Sequence, residues 1–178
     1  KHQLPIYLTH GTYTMCQKRN KSSFDIDFRF INNEESFEIN SIDITPITVP
    51  HDAREPVQYK FKTENSIFAI VTDLGFGSSH LLKSINDVHS IIIEANHDDK
   101  LLNESDYPQS LKNRIGGRYG HLCNLEASRI LKSIQNNNLN FVGAAHLSDK
   151  NNDPDIVKKI LSNAINKDES FIKIIDQE

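Results

Sequence analysis

At 178 residues the chain is long enough for one domain with a substantial core and too short for two. Its composition, 37% apolar and 25% charged, is that of a soluble globular protein, and a net charge of −4 argues against broad non-specific binding to nucleic acid, which needs a basic surface. The longest apolar runs, residues 67–71 and 90–93, fall far short of a membrane span, and two isolated cysteines, Cys16 and Cys123, build neither a disulfide framework nor a thiolate metal site, so a reducing cytoplasm is the expected setting.

In chain order, residues 5–9 read as a short buried strand, followed by a helix over 10–19. Residues 20–36 are polar, with Phe24, Phe28 and Phe30 interspersed, and read as a loop or edge hairpin. Residues 37–39 and 42–49 alternate apolar and polar positions, as half-buried strands do, with Pro46 pointing to a sheet edge or a bulge. Residues 57–62 alternate again. The run 67–72 is continuously apolar, which predicts a strand covered on both faces. A glycine-rich turn then leads to a helix through about Asn86 with Ser78 or Ser79 as its cap. A strand is expected over 90–94, a helix over 108–114 broken at Gly116 and Gly117, and an amphipathic helix over 124–135. A turn over 136–140, a strand over 141–145, a helix over 153–164 and a strand over 171–175 complete the chain. Antiparallel-looking strands alternating with helices indicate an α/β sandwich with helices on its sheet faces. The chain lacks an initiator Met, enters a strand almost at once and stops just after another, so residues 1–178 are expected to be one partial domain of a longer protein.

The ionisable residues recur at one kind of place. His51 follows the strand over 42–49, Asp73 ends the apolar strand, His97 and Asp98 follow the strand over 90–94, and His146 ends the strand over 141–145. Strand ends are rigid and adjoin loops, so successive strands place imidazoles and carboxylates around one cleft. That donor chemistry suits zinc, manganese or iron(II), and a carboxylate such as Asp73 can bridge two cations and lower the pKa of a water between them. Each position has a structural alternative, a loop histidine or a helix cap, and from spacing alone the reading stops at a His/Asp metal site.

Five strings carry a resemblance: Val49-Pro-His-Asp-Ala-Arg-Glu-Pro56, Val71-Thr-Asp-Leu-Gly75, Glu94-Ala-Asn-His-Asp98, Gly117-Arg-Tyr-Gly-His-Leu122 and Ala145-His-Leu-Ser-Asp-Lys-Asn-Asn152. In order and spacing the chain resembles the WalJ/YycJ-type branch of the metallo-β-lactamase superfamily. The resemblance implies the C-terminal portion of an αββα sandwich with an incomplete N-terminal sheet. It implies His51 and His146 as terminal ligands on different metals, Asp73 as the bridging carboxylate, and His97 and His121 near the cleft as proton donors. Two divalent ions, zinc or manganese, are the cofactors it implies for the full-length protein. The family's His-x-His-x-Asp-His run, which supplies most ligands to both metals, is absent here, so the sequence predicts one or two ligands per metal and weak binding.

From Tyr107 to Leu125 there is no acidic residue, while Lys112, Arg114 and Arg118 fall in that stretch around Gly116 and Gly117, whose backbone NH groups are candidates for phosphate contact. Arg54 is a further candidate, with a salt bridge to Glu55 or Asp52 as its alternative. His97 reads either as a general acid or, with Asp98 and Glu94, as a partner that orients a ligand imidazole. His80 and His89 read as surface residues. Three functions follow: a dinuclear phosphodiesterase acting on nucleic acid or a similar ester, a hydrolase of the same fold acting on a thioester, lactone or lactam, and a binding module or inactive remnant.

Overall fold

The computed structural model describes residues 4–19, 26–134 and 139–175. A seven-stranded sheet runs in the order β3 (Phe37–Ile39), β4 (Ile42–Thr48), β5 (Val57–Lys62), β6 (Ile67–Val71), β7 (Ser90–Glu94), β8 (Phe141–Ala145), β9 (Ile172–Ile175). A separate two-stranded sheet joins β1 (Ile6–Leu8) in parallel to β2 (Phe28–Phe30), with α1 (His10–Arg19) between them. The strand β2 lies where the sequence offered only a loop or hairpin. The expected turn over 136–140 lies largely outside the described residues.

Strand direction is where the sequence reading needs correction. From β3 to β6 the neighbours are antiparallel, but β6, β7, β8 and β9 are all parallel to one another. Parallel neighbours need crossovers, and helices supply them: α2 (Ser79–Ser84) links β6 to β7, α3 (Asp99–Glu104), α4 (Gln109–Ile115) and α5 (Asn124–Ser133) lie between β7 and β8, and α6 (Pro154–Ala164) links β8 to β9. Because β4 and β6 are both antiparallel to β5, they run in one direction too. The C-terminal ends of β4, β6, β7 and β8 therefore reach the same edge of the sheet.

The period of two decides which side chains face the helices. Ala69 and Val71 of β6, Ile91 and Ile93 of β7, and Val142 and Ala144 of β8 lie on one face, all fully buried. They pack in one cluster with Leu81 and Ile85 beside α2, Ala127, Ile130 and Leu131 of α5, and Val157 and Leu161 of α6. The alternate residues Phe68, Ile70 and Ile92 are only partly buried. The apolar run over 67–72 is thus fully covered on one face, not on both as its composition predicted.

Local caps match the chemistry of the residues that make them. Ser78 accepts from the Leu81 amide at the start of α2, Asp98 from Lys100 and Leu101 at α3, and Asp153 from Asp155 and Ile156 at α6. Asp73 is thereby released from the capping role that its position after a strand would otherwise suit.

Truncating Ile93, which has no exposure and sits between sheet and helices, tests this packing. Ile93→Ala is expected to cost about 2–5 kcal/mol of stability in urea unfolding; a cost under about 1 kcal/mol would show that the helices do not pack on that face.

Candidate metal centre

Four strand ends deliver side chains to the shared edge, and three of them meet. Asp73 follows β6, Glu94 ends β7 and His146 follows β8; His121, from the loop after α4, joins them. One ligand atom from each of the four lies within 4.8 Å of all the others. Oδ1 of Asp73 is 3.3 Å from Nδ1 of His146 and 3.6 Å from Nδ1 of His121.

Glu94 organises this group from below. Its side chain has no solvent exposure. Oε1 accepts from Nδ1 of His121 and Nδ1 of His146, both at 2.8 Å, while Oε2 accepts from the backbone amides of Leu74 at 3.1 Å and Leu122 at 3.3 Å. Burial alone would raise its pKa, but the two imidazole hydrogen bonds and the Leu74 amide hold it below the ordinary carboxylate value, so Glu94 is ionised. The same hydrogen bond, with the nearby Asp73 charge, raises the pKa of His146 against the opposing effect of burial. Nδ1 is thus the nitrogen that both rings turn toward the two carboxylates, which leaves Nε2 on the far side of each ring.

Backbone conformation contributes as well. Asp73 and His146 both have positive φ, 52° and 58°. A non-glycine residue held in this left-handed region costs about 1–3 kcal/mol and persists only where its surroundings enforce it. Of the seven such residues among those described, Asp73 and His146 are the two whose side chains meet at this group. The turn after Asp73 is locked against the loops that carry His51 and His121: the Gly75 amide donates to the Pro50 carbonyl, and a Cβ at Gly75 would overlap the backbone of Gly117 and Arg118. Gly120 is equally constrained, since a Cβ there would strike the carbonyl oxygens of Arg114 and Ile115.

The remaining predicted residues fall into different places. His51 stands beside the group without joining it; its ring centroid is 5.5 Å from that of His121, Nδ1 lies 3.2 Å from the Gly120 carbonyl, and Nε2 is 3.5 Å from Asp52. His97 is buried to 1% exposure, with Nδ1 unpartnered among the described residues and Nε2 3.9 Å from Asp99. Burial lowers its pKa and favours the neutral ring. A proton donor to a substrate must be reachable, and this ring is not. Asp98 is a helix cap and orients no ligand.

The basic stretch is more occupied than its composition indicated. The Gly116 and Gly117 amides donate to the carbonyls of Lys112 and Arg114, and so do not point at an open phosphate site. Lys112 donates to the Asn103 carbonyl. Arg114 Nε donates to Asp52 at 2.8 Å, and that hydrogen bond lowers the Asp52 pKa. The Arg118 guanidinium lies over the Phe76 ring at 4.4 Å. Arg54 is exposed and pairs with neither expected partner in the described contacts: Asp52 is taken by Arg114, and Glu55 accepts from the Gly11 amide. His80 is exposed, as expected, and pairs with Glu34, while His89 is partly buried and accepts from the Ile67 amide.

Glu94 and His121 complete the four-donor group, which the sequence reading had not assembled. The signal for Glu94 was an acidic residue closing an otherwise apolar strand, Ser90-Ile-Ile-Ile-Glu94, at the register position opposite Ala145. For His121 no spacing rule applied, because its loop reaches the site through tertiary packing.

No known family profile matches the chain. It is 28% identical over 166 residues to exodeoxyribonuclease YycJ of Bacillus anthracis, covering 93% of this chain and 62% of that protein. It is 31% identical over 124 residues to exodeoxyribonuclease WalJ of Streptococcus pneumoniae, covering 70% of this chain and 46% of the relative. The chain thus spans less than two thirds of the length of these curated relatives. Among solved structures, YhfI of Bacillus subtilis, a metallo-β-lactamase-fold protein, superposes with a TM-score of 0.70 at 16% identity, over 98% of this chain and 63% of that one. Zn(2+)-bound PqqB of Methylobacterium extorquens superposes with a TM-score of 0.69 at 13% identity, over 99% and 64%. At such identities the likeness is one of fold.

Glu94 and His146 contribute opposite limbs to the pH response of the metal-free chain, beside Asp52 and Glu34, whose pKa values are also lowered. Glu94 lies below its ordinary value of 4.5 when folded, so its contribution is complete above that pH and is lost as pH falls through the folded value. His146 lies above its ordinary 6.5, so its contribution is complete below that pH and fades as pH rises through the folded value. Thermal melts in chelator are expected to be highest between those two pH values. Glu94→Gln, which loses charge-assisted bonds, is expected to cost about 3 kcal/mol and to shrink the acid limb. An unchanged acid limb in this variant would rule Glu94 out as its source.

Proposed function

We propose, for a chain that belongs to the WalJ/YycJ branch of the metallo-β-lactamase-fold metallo-hydrolases, that it carries part of a divalent-metal centre that hydrolyses phosphodiester bonds in DNA. One observation carries the reading: Asp73, His121 and His146 converge over an ionised, fully buried Glu94 at the edge where the strand ends gather. The fit to a cation follows from the donors themselves, since imidazole with carboxylate, here His146 with Asp73, suits zinc or manganese. A cation bound there supplies Lewis acidity toward a phosphoryl oxygen and a nucleophile at neutral pH.

The chain's own residues divide the remaining work. Asp73, His146 and His51 would hold the cation centre. The His51 ring lies 5.5 Å from that of His121, beside the same space. His121 gives a proton to the leaving oxygen from Nε2, with Glu94 holding Nδ1 and thereby fixing the ring's orientation. Arg118, and Arg114 when released from Asp52, face the phosphate. Arg54 borders the same loop.

The names of the relatives support DNA as substrate. A second reading keeps the centre and changes the substrate to a thioester, lactone or lactam. It draws on the fact that Lys112 and Arg114 already have partners within the protein. The two are separated by Arg114→Ala with Arg118→Ala: a phosphodiesterase loses activity on DNA by about 10-fold or more, since hydrogen bonds from charged groups are worth about 1.5–3 kcal/mol each, while hydrolysis of a carboxylic thioester is left intact.

Metal analysis of the purified chain tests the centre itself. Zinc or manganese is expected to copurify, and His146→Ala or Asp73→Asn is expected to weaken binding by more than the roughly 10–100-fold that outlying partners contribute. A chain that takes up neither metal would contradict the proposed centre.

A further inference from the structure

We infer that Asn96 is a positioning residue that holds the His146 loop in its left-handed turn and so sets the affinity of the metal centre; this rests on the reading that His146 is a ligand. Asn96 contributes no atom to the four-donor group, and nothing in its residue type marks it as functional. Its contacts do. The side-chain Nδ2 donates to the His146 carbonyl at 2.9 Å, and the Asn96 carbonyl accepts from the Ser148 amide at 2.9 Å. The His146–Ser148 segment is therefore gripped on both sides of Leu147 by one residue. The Asn96 amide in turn donates to the Leu122 carbonyl at 2.8 Å, next to His121. One buried asparagine, with 9% exposure, thus ties together the loops that carry both imidazoles of the group.

The geometry explains why an amide is needed. β8 ends at Ala145, and the chain must turn at once so that the next side chain points back along the sheet edge toward Glu94 and Asp73. A φ of 58° at His146 achieves this, a left-handed conformation uncommon outside glycine. In an ordinary right-handed or extended turn the His146 carbonyl would swing away from Asn96. A donor placed on that carbonyl therefore selects the left-handed form, and with it the ring direction. Losing the donor lets the loop sample conformations in which the imidazole points elsewhere, and affinity falls by the fraction of time the competent form is populated.

The test uses this chain, zinc affinity from competition with a chromophoric chelator, and the visible absorption of bound cobalt(II) as a report on ligand geometry. Asn124 supplies the control: it is also buried, at 1% exposure, and exchanges side-chain hydrogen bonds with Asn152, with none to His146 among the described contacts. Asn96→Ala is expected to weaken zinc by about 10–100-fold and to change the cobalt spectrum, whereas Asn124→Ala lowers the melting temperature and leaves affinity and spectrum unchanged. If Asn96→Ala does not fold, Asn96→Ser is measured in the same way. Wild-type affinity in the Asn96 variant overturns this inference and leaves the metal centre standing. Equal weakening in both variants also overturns it, since general loosening then suffices. A wild-type chain that binds no zinc or cobalt removes both.

Discussion

A carboxylate without water contact lies beneath the cluster of Asp73, His121 and His146, and the local structure is arranged around satisfying it. An ionised group taken out of water is stable only if hydrogen bonds replace its hydration. Glu94 receives them from two imidazoles and two backbone amides, drawn from the turn after β6, the loop before α5 and the end of β8. None of these segments adjoins another in sequence. Meeting the needs of one buried charge thus brings three distant stretches into register, and the rings it recruits are left with one nitrogen each on the outer side. The electrostatics of folding and the construction of the centre are the same set of bonds.

The layout above that charge follows from chain direction. Strands β6, β7 and β8 are parallel, and β4 shares their direction, so whatever follows each of them arrives at a common edge. The recurrence of His51, Asp73 and His146 after strands, and their placing around one cleft, was legible from sequence because residue type and strand pattern are both local. Which of them meet was not: Asp73 and His146 do, with His51 beside them, and an apolar run does not state whether its neighbour is parallel. The sequence pattern looked antiparallel, which would have sent alternate strand ends to opposite edges. The β2 strand was hidden for a related reason: three residues of Phe28–Phe30 are too few to show a period, and their pairing with β1 is long-range.

Residue chemistry misled where one side chain had two roles open to it. Asp98 follows a strand, as Asp73 does, yet it caps α3 while Asp73 faces the cluster. The distinction lies in the next few residues: Ser78 is available to cap α2, and no serine or threonine stands ready before α3. His97 shows the opposite case. His97 stands three residues after Glu94, the residue that organises the group, yet its ring is buried in the interior. Arg114 and Lys112 were read as open charges from a stretch without acids. Their partners, Asp52 and the Asn103 carbonyl, come from outside that stretch and only the fold brings them near.

Because the chemistry gathers at one rim of the sheet, the other rim is left with connections alone. The β5–β6 hairpin closes there through Thr63 and Ser66, which bond to each other's backbone and side chain and touch none of the residues discussed as ligands. That tip is a site where a fluorophore, a surface tether or a fused domain can be joined with the metal-facing side left clear. Immobilised through it, the molecule would present its cluster outward to whatever polymer passes over it.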